Sequence, residues 1–125
     1  MSIYHPGLSL DIPIFTKTYE LYKTFYGYLP AFPKRDRYTL GQKCELVLLD
    51  LLEAIILAGN LPKQEKLPIL KQASLKVDIL KVLFRLGKDL KIVDNKKYLV
   101  FEGYLQEIGK MLGGWIKTTA APQNS

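Results

Sequence analysis

Residues Leu67 to Lys91 constrain this chain more than any other stretch. At about 100° per residue, Ile69, Leu70, Ala73, Val77, Leu80 and Phe84 fall on one row of an α-helix. Leu75, Ile79, Val82, Leu83, Leu86 and Leu90 fall on a second row beside it. Together the rows cover about two-thirds of the circumference, interrupted only by Lys76, whereas an ordinary surface helix carries a stripe about 100° wide or somewhat more. Such a helix must be covered on two sides. The remaining sector holds Lys71, Ser74, Asp78, Lys81, Arg85, Lys88 and Asp89, four cations against two anions. One helix therefore carries a core face, a second interface and a basic strip. Its start has two readings. Pro68 is either its first residue or a kink in a helix that began near Pro62.

Three other segments show the same periodicity. Asp11 followed by Pro13 marks the start of a first helix, from about Ile12 to Leu29. Phe15, Tyr19, Tyr22, Tyr26 and Leu29 repeat along it, with Ile14, Leu21, Phe25 and Tyr28 on the neighbouring row. Stacking on nucleobases is one use of such tyrosines. Core and rim packing, with hydroxyls at the water boundary, is the reading preferred here. Pro30 and Pro33 end the helix. A second helix capped by Asp36 runs to about Ala58, with Leu40, Cys44, Val47, Leu48, Leu51, Ile55 and Ala58 on its main face. Leu46, Leu49, Leu52 and Ile56 make it broadly apolar, and Gly59-Asn60 is its stop. Asp94 or Asn95 caps a last helix on which Tyr98, Phe101, Leu105, Ile108, Leu112 and Trp115 form a long bundle face.

No segment alternates with period two for long enough to be a strand. The expected fold is all-α, an antiparallel up-down-up-down four-helix bundle over residues 12–117. Residues 1–11 are expected to be an extended arm, and 118–125 a disordered tail. The broad apolar arcs on helices two and three leave surface for a neighbour, so a homo-oligomer is expected.

The chemistry is sparse. The single histidine, His5, falls in the arm, and no Cys/His cluster has zinc spacing. Cys44 lies on an apolar helix face, where a thiol is usually an inert small hydrophobe. Asp50 and Glu53 are read as part of a solvated face. Gly113-Gly114 lacks any phosphate-loop context. No catalytic residue, metal site or cofactor is expected, and the protein is read as a non-enzyme. A single cysteine excludes an internal disulfide framework, and the opening residues lack the pattern of a secretory signal, so a cytoplasmic location is expected. No run approaches about 18 apolar residues, so no membrane span is expected.

The net charge of +6 favours a polyanionic partner. Two basic groups stand out. Lys34, Arg35 and Arg37 lie with Lys43 at the entry to helix two. Lys71, Lys81, Arg85 and Lys88 lie on helix three, followed by Lys91, Lys96 and Lys97. Local pairs such as Arg85 with Asp89 would make this only a solvated face. In a symmetric oligomer the same strip would repeat into a larger positive field able to hold phosphate backbones. Gly109, Gly113 and Gly114 fall near the end of helix four. Gly is costly inside a helix, by about 1 kcal/mol relative to Ala. Gly109 and Gly113 share a face, so close approach of another helix is the expected reason. Leu75, Ile79, Val82, Leu86 and Trp115 join them as expected packing or subunit-contact residues.

Three segments are familiar in this order: FPKRDRYTLGQK (Phe32–Lys43), LFRLGKDLK (Leu83–Lys91) and EIGKMLGGWIK (Glu107–Lys117). They resemble the accessory variability determinant proteins of diversity-generating retroelements. These sit within a wider four-helix-bundle family that includes proteins encoded in intervening sequences of 23S ribosomal RNA genes. The resemblance covers roughly Ile14 to Lys117, and the TLGQ and GGWIK segments carry most of its specificity. It implies a barrel-like homopentamer with a basic surface that binds RNA and DNA. It further implies association with the element's reverse transcriptase, which copies a template RNA into mutagenised cDNA. Arg85, Lys81 and Lys88 match the family's basic positions on helix three, and Lys34, Arg35 and Arg37 its basic corner. Pro68 departs from the pattern. Two rivals remain: an intervening-sequence-type bundle of unknown, RNA-related role, and a purely structural oligomer.

Overall fold

The computed structural model describes residues 12–121. Among these there is no strand. The elements are α1 (Pro13–Tyr28), a 3-10 turn (Leu29–Ala31), α2 (Lys34–Arg37), α3 (Leu40–Asn60), α4 (Lys63–Asp89) and α5 (Asn95–Ala120). α2 is a single turn, so the four long helices form the expected bundle. α1 packs on α3 and α5, and α4 packs on the same two, which places α1 and α4 on one diagonal. Short joints make consecutive long helices antiparallel. The Asp11 cap, the arm at 1–11 with His5, and residues 122–125 lie outside the described residues. None of the described helices is long and apolar enough to cross a membrane.

The core follows the periodic rows. α4 buries Leu70, Ala73, Val77, Leu80 and Phe84, with Ile69 half-buried. α5 buries Phe101, Leu105, Ile108 and Leu112, flanked by half-buried Tyr98 and Trp115. On α1 the inward row is Ile14, Thr18, Leu21 and Phe25 beside Phe15. Thr18 is tolerated there because its hydroxyl donates to the Ile14 carbonyl at 2.8 Å. The tyrosines form the rim: Tyr19 and Tyr26 are exposed, and the Tyr22 hydroxyl donates to Glu45 Oε2 at 2.9 Å.

Several boundaries differ from the sequence reading. Asp36 does not cap a long helix. Pro33 precedes a separate turn, α2, in which Asp36 is an inner residue, and α3 begins only at Leu40. The reason is steric. At Gly41 an added Cβ would lie 2.7 Å from Leu29 Cδ1 and 3.0 Å from the Asp36 carbonyl. α2 therefore folds back onto the start of α3 at a point where only glycine fits. α3 continues through Gly59 and Asn60 and stops at Leu61, just before Pro62. α4 starts at Lys63, so Pro68 lies inside it. The Lys66 ammonium donates to the Ala58 carbonyl, which ties the first turns of α4 to the end of α3. α5 runs three residues beyond the expected end at Lys117, through Thr118, Thr119 and Ala120.

α4 ends in a Schellman motif. Ile92 N–H donates to the Gly87 carbonyl at 2.8 Å and Lys91 N–H to the Lys88 carbonyl at 3.0 Å. Lys91 occupies the left-handed position with φ 61°, which glycine normally fills. Asp94 then caps α5, accepting from Lys97 N–H at 2.8 Å.

Within the chain, the close approaches at glycine lie elsewhere than Gly109 and Gly113. Neither Gly109 nor Gly113 approaches another helix within this chain: a Cβ at either would meet nothing within 4 Å. The close approaches are at Gly41 and Gly87, where Cβ would lie 3.3 Å from Val93 Cγ2. Two outcomes are expected in urea unfolding. Lys91→Gly relieves the left-handed strain and raises stability by about 1 kcal/mol. Gly41→Ala forces the α2 turn away and lowers it by about 1–3 kcal/mol. Unchanged midpoints would contradict this account of the two turns.

Candidate nucleic-acid interface

The bundle topology places the two basic groups of the sequence at the same end. α1 and α4 end where α3 and α5 begin. Gly87 near the end of α4 faces Leu40 at the start of α3, with an added Cβ 3.4 Å from Leu40 Cδ2. Lys97 on α5 lies over the ring of Tyr28 on α1, 5.4 Å from its centroid. Lys34 and Arg35 from α2 therefore share one end of the bundle with Arg85, Lys88, Lys91, Lys96 and Lys97. The anions at that end are Asp36, Asp89 and Asp94. Lys71 is exposed but sits ten residues before Lys81, about 15 Å away along the helix axis.

Within the strip the side chains differ in how they are held. Lys81, Arg85 and Lys88 climb α4 in steps of about 6 and 4.5 Å. Arg85 is exposed and donates from Nε to Asp89 Oδ1 at 3.3 Å. That hydrogen bond and the Asp89 charge raise its pKa further and keep the guanidinium charged. Lys88 Nζ lies 4.8 Å from the Tyr98 ring centroid, a cation–π contact that holds the ammonium over α5. Lys81 and Arg85 line a shallow groove on the α4–α5 seam together with Val82, Tyr98 and Glu102.

The second basic group is less uniform than its sequence suggests. Arg35 is the most exposed, with a side chain at 91 %. Lys34 is exposed as well. Arg37 is not free in the same way. Its Nε donates to the Phe32 carbonyl at 3.0 Å and its Nη2 to the Pro30 carbonyl at 2.7 Å. It staples the loop between α1 and α2.

The expected subunit-contact row lies apart from this groove over most of its length. Leu75, Val82 and Leu86 on α4, with Leu90 at its C-cap, are exposed at 57, 67, 44 and 60 %, while Ile79 and Leu83 are half-buried. Leu46, Leu49 and Leu57 of α3 are exposed as well. Trp115 packs at the core's edge under the Lys66 ammonium, 5.8 Å from its ring centroid. Cys44 is buried, and burial pushes its thiol up to about 12, which fits an unreactive core residue. Among the described residues no group of His, Cys, Asp or Glu could hold a metal.

Sequence reading missed two residues of this site. Tyr98 was assigned to the bundle face and Glu102 to nothing. They lie one turn apart on α5, and the i, i+4 pairing beside an antiparallel basic helix is the signal that would have found them.

The family model for bAvd-like proteins matches residues 13–119, nearly the whole described chain. The chain belongs to the bAvd-like family. Membership covers all four long helices and the basic end, and it suggests an accessory protein of the Avd type. No curated protein matches the chain.

The two loop arginines separate by stability. Arg37→Gln is expected to lower the unfolding free energy by about 1 kcal/mol through its lost carbonyl bonds. Arg35→Gln should change it by less than about 0.5 kcal/mol. Equal urea midpoints for the two variants would show that Arg37 is no staple.

Proposed function

We propose that this bAvd-like protein is a non-enzymatic accessory subunit that binds nucleic acid and works with a retroelement reverse transcriptase. The observation that carries the reading is the basic end of the bundle. Two cationic groups, more than 40 residues apart in sequence, share that end, and Lys81 and Arg85 of one of them line an α4–α5 groove. Their partner is a phosphate backbone, RNA or DNA, held mainly by charge. In the cytoplasm the subunit holds template RNA to the polymerase during mutagenic cDNA synthesis, as its resemblance implies. It contributes no reacting group itself.

The proposal includes assembly. An exposed row of Leu75, Val82 and Leu86 on α4 and Leu90 at its C-cap, with Leu46, Leu49 and Leu57 on α3, is more apolar surface than a lone small bundle usually leaves open. A homo-oligomer covers it, and the resemblance points to five copies. Cyclic repetition would set several basic ends side by side and raise the local potential.

Three measurements test the reading. Light scattering at micromolar concentration should give a multiple of the 14.3 kDa chain mass, and Leu75→Glu with Val82→Glu should reduce it. A parent species of 14.3 kDa would remove the assembly claim. For binding, log K against log salt should fall by about 0.9 per phosphate neutralised on duplex DNA and about 0.7 on single strands. Arg85→Glu with Lys88→Glu should weaken binding and flatten that slope, while helicity and oligomer size stay as they were. In a reconstituted system the same variant should yield less cDNA. Parent-like binding by the variant at every salt concentration would reduce the strip to a solvated face.

A further inference from the structure

The α4–α5 groove contains one feature that a simple phosphate cradle does not need. Glu102 Oε1 is buried and has no hydrogen-bond partner, alone among the side-chain nitrogens and oxygens of the described residues. A buried carboxylate oxygen without a donor costs free energy, more than a neutral acceptor would. Lys81 and Arg85 line the same groove, yet neither forms an ion pair with Glu102. Arg85 is turned toward Asp89, and Lys81 makes no ion pair among the described residues. The groove thus presents two cations and one unpartnered acceptor. Its complement must carry an anion and, beside it, a hydrogen-bond donor.

A phosphodiester group by itself has the anion and no proton to donate. A deoxyribose backbone has no donor at all, and its phosphates would be repelled by the carboxylate. A ribose backbone has both: each phosphate is followed by a sugar whose 2′-hydroxyl can donate. Carboxylates are known acceptors for that hydroxyl in nucleotide sites. An arginine or lysine from a second copy would satisfy Glu102, but it would have to enter beside Lys81 and Arg85 against their charge. We infer that, given the nucleic-acid reading above, the Lys81–Arg85–Glu102 groove selects RNA over DNA. The two cations hold a backbone phosphate and Glu102 accepts from a neighbouring ribose 2′-hydroxyl. Val82 supplies the apolar wall of the groove and Tyr98 its aromatic one.

The test uses the full chain and unstructured oligonucleotides of one sequence in three forms: RNA, DNA and 2′-fluoro RNA. The fluoro form keeps the ribose-like pucker but has no donor. The parent protein should bind RNA roughly tenfold more tightly than either of the others, the scale of one hydrogen bond to a charged group. Glu102→Met should bring the three affinities to within about twofold, chiefly by raising those for DNA and 2′-fluoro RNA. Glu102→Gln, which keeps an acceptor without the charge, should retain part of the preference. Equal parent affinities for RNA and 2′-fluoro RNA would overturn the inference without any variant. So would an RNA preference that survives Glu102→Met, or a Glu102→Met variant that loses oligomer mass with its preference unchanged, which would make the carboxylate a contact between copies. The strip reading fails separately, if Arg85→Glu with Lys88→Glu weakens binding to neither polymer.

Discussion

The bundle depends on a stack of aromatic rings that joins three helices at one end. Phe84 of α4 lies on Phe101 of α5 with centroids 4.3 Å apart and planes 18° from parallel. Phe25 of α1 sits 6.1 Å from each of them. Phe32, after the 3-10 turn, presents its edge to Phe25 at 5.9 Å and 86°. Each such pair contributes about 0.5–1.5 kcal/mol beyond its area burial. The consequence is positional as well as energetic. Phe84 precedes Arg85, Phe32 precedes the Lys34-Arg35 corner, and Phe101 precedes Glu102. The residues that order the core are therefore the neighbours of those that form the basic end.

α4 carries the most demands, and its ends show how they are met. Its inward row meets α3 and α5, and its outward row is left bare. Between them Lys76, which interrupts the apolar arc, reaches Asp50 of α3 at 3.7 Å. That pair is partly exposed and contributes little energy. It does allow a cation to sit in an otherwise apolar arc. At its start α4 takes Pro68 into its second turn, and the Lys66 ammonium ties the preceding turn to the α3 terminus. At its finish a lysine stands where glycine would fit best, followed by a capped turn into α5.

Apolar rows were legible because each is a local pattern read at 3.6 residues per turn. Leu70, Ala73, Val77, Leu80 and Phe84 needed no knowledge of their partners. Boundaries were less legible where two local signals competed. At Pro33 and Asp36 both residues favour a helix start. The outcome was decided by Gly41, whose close approach to Asp36 is a tertiary fact. At the C-terminus small polar residues suggested a tail. Yet the Thr118 hydroxyl bonds back to the Gly114 carbonyl at 3.0 Å, and the helix continues. The α5 glycines show a related gap: spacing tells that two positions share a face, but not what faces them, and within the chain nothing does. Charge was legible residue by residue, yet Arg37 and Arg35 look alike in sequence and differ completely in what they hold.

Val82 links the two surfaces that this fold leaves unpaired. It is the most exposed member of the apolar row on α4, and it also lines the groove of Lys81, Arg85, Tyr98 and Glu102. On a helix, adjacent residues point about 100° apart, so Lys81 and Val82 border one another across the line between basic and apolar sectors. A neighbouring copy covering the apolar row would therefore come up to the lip of the groove. Burial there would lower the local dielectric and strengthen both the cations' hold on a phosphate and the carboxylate's need for a donor. Assembly and nucleic-acid binding would then share a boundary one residue wide. This arrangement follows from making one helix nearly apolar all round and leaving a single charged sector.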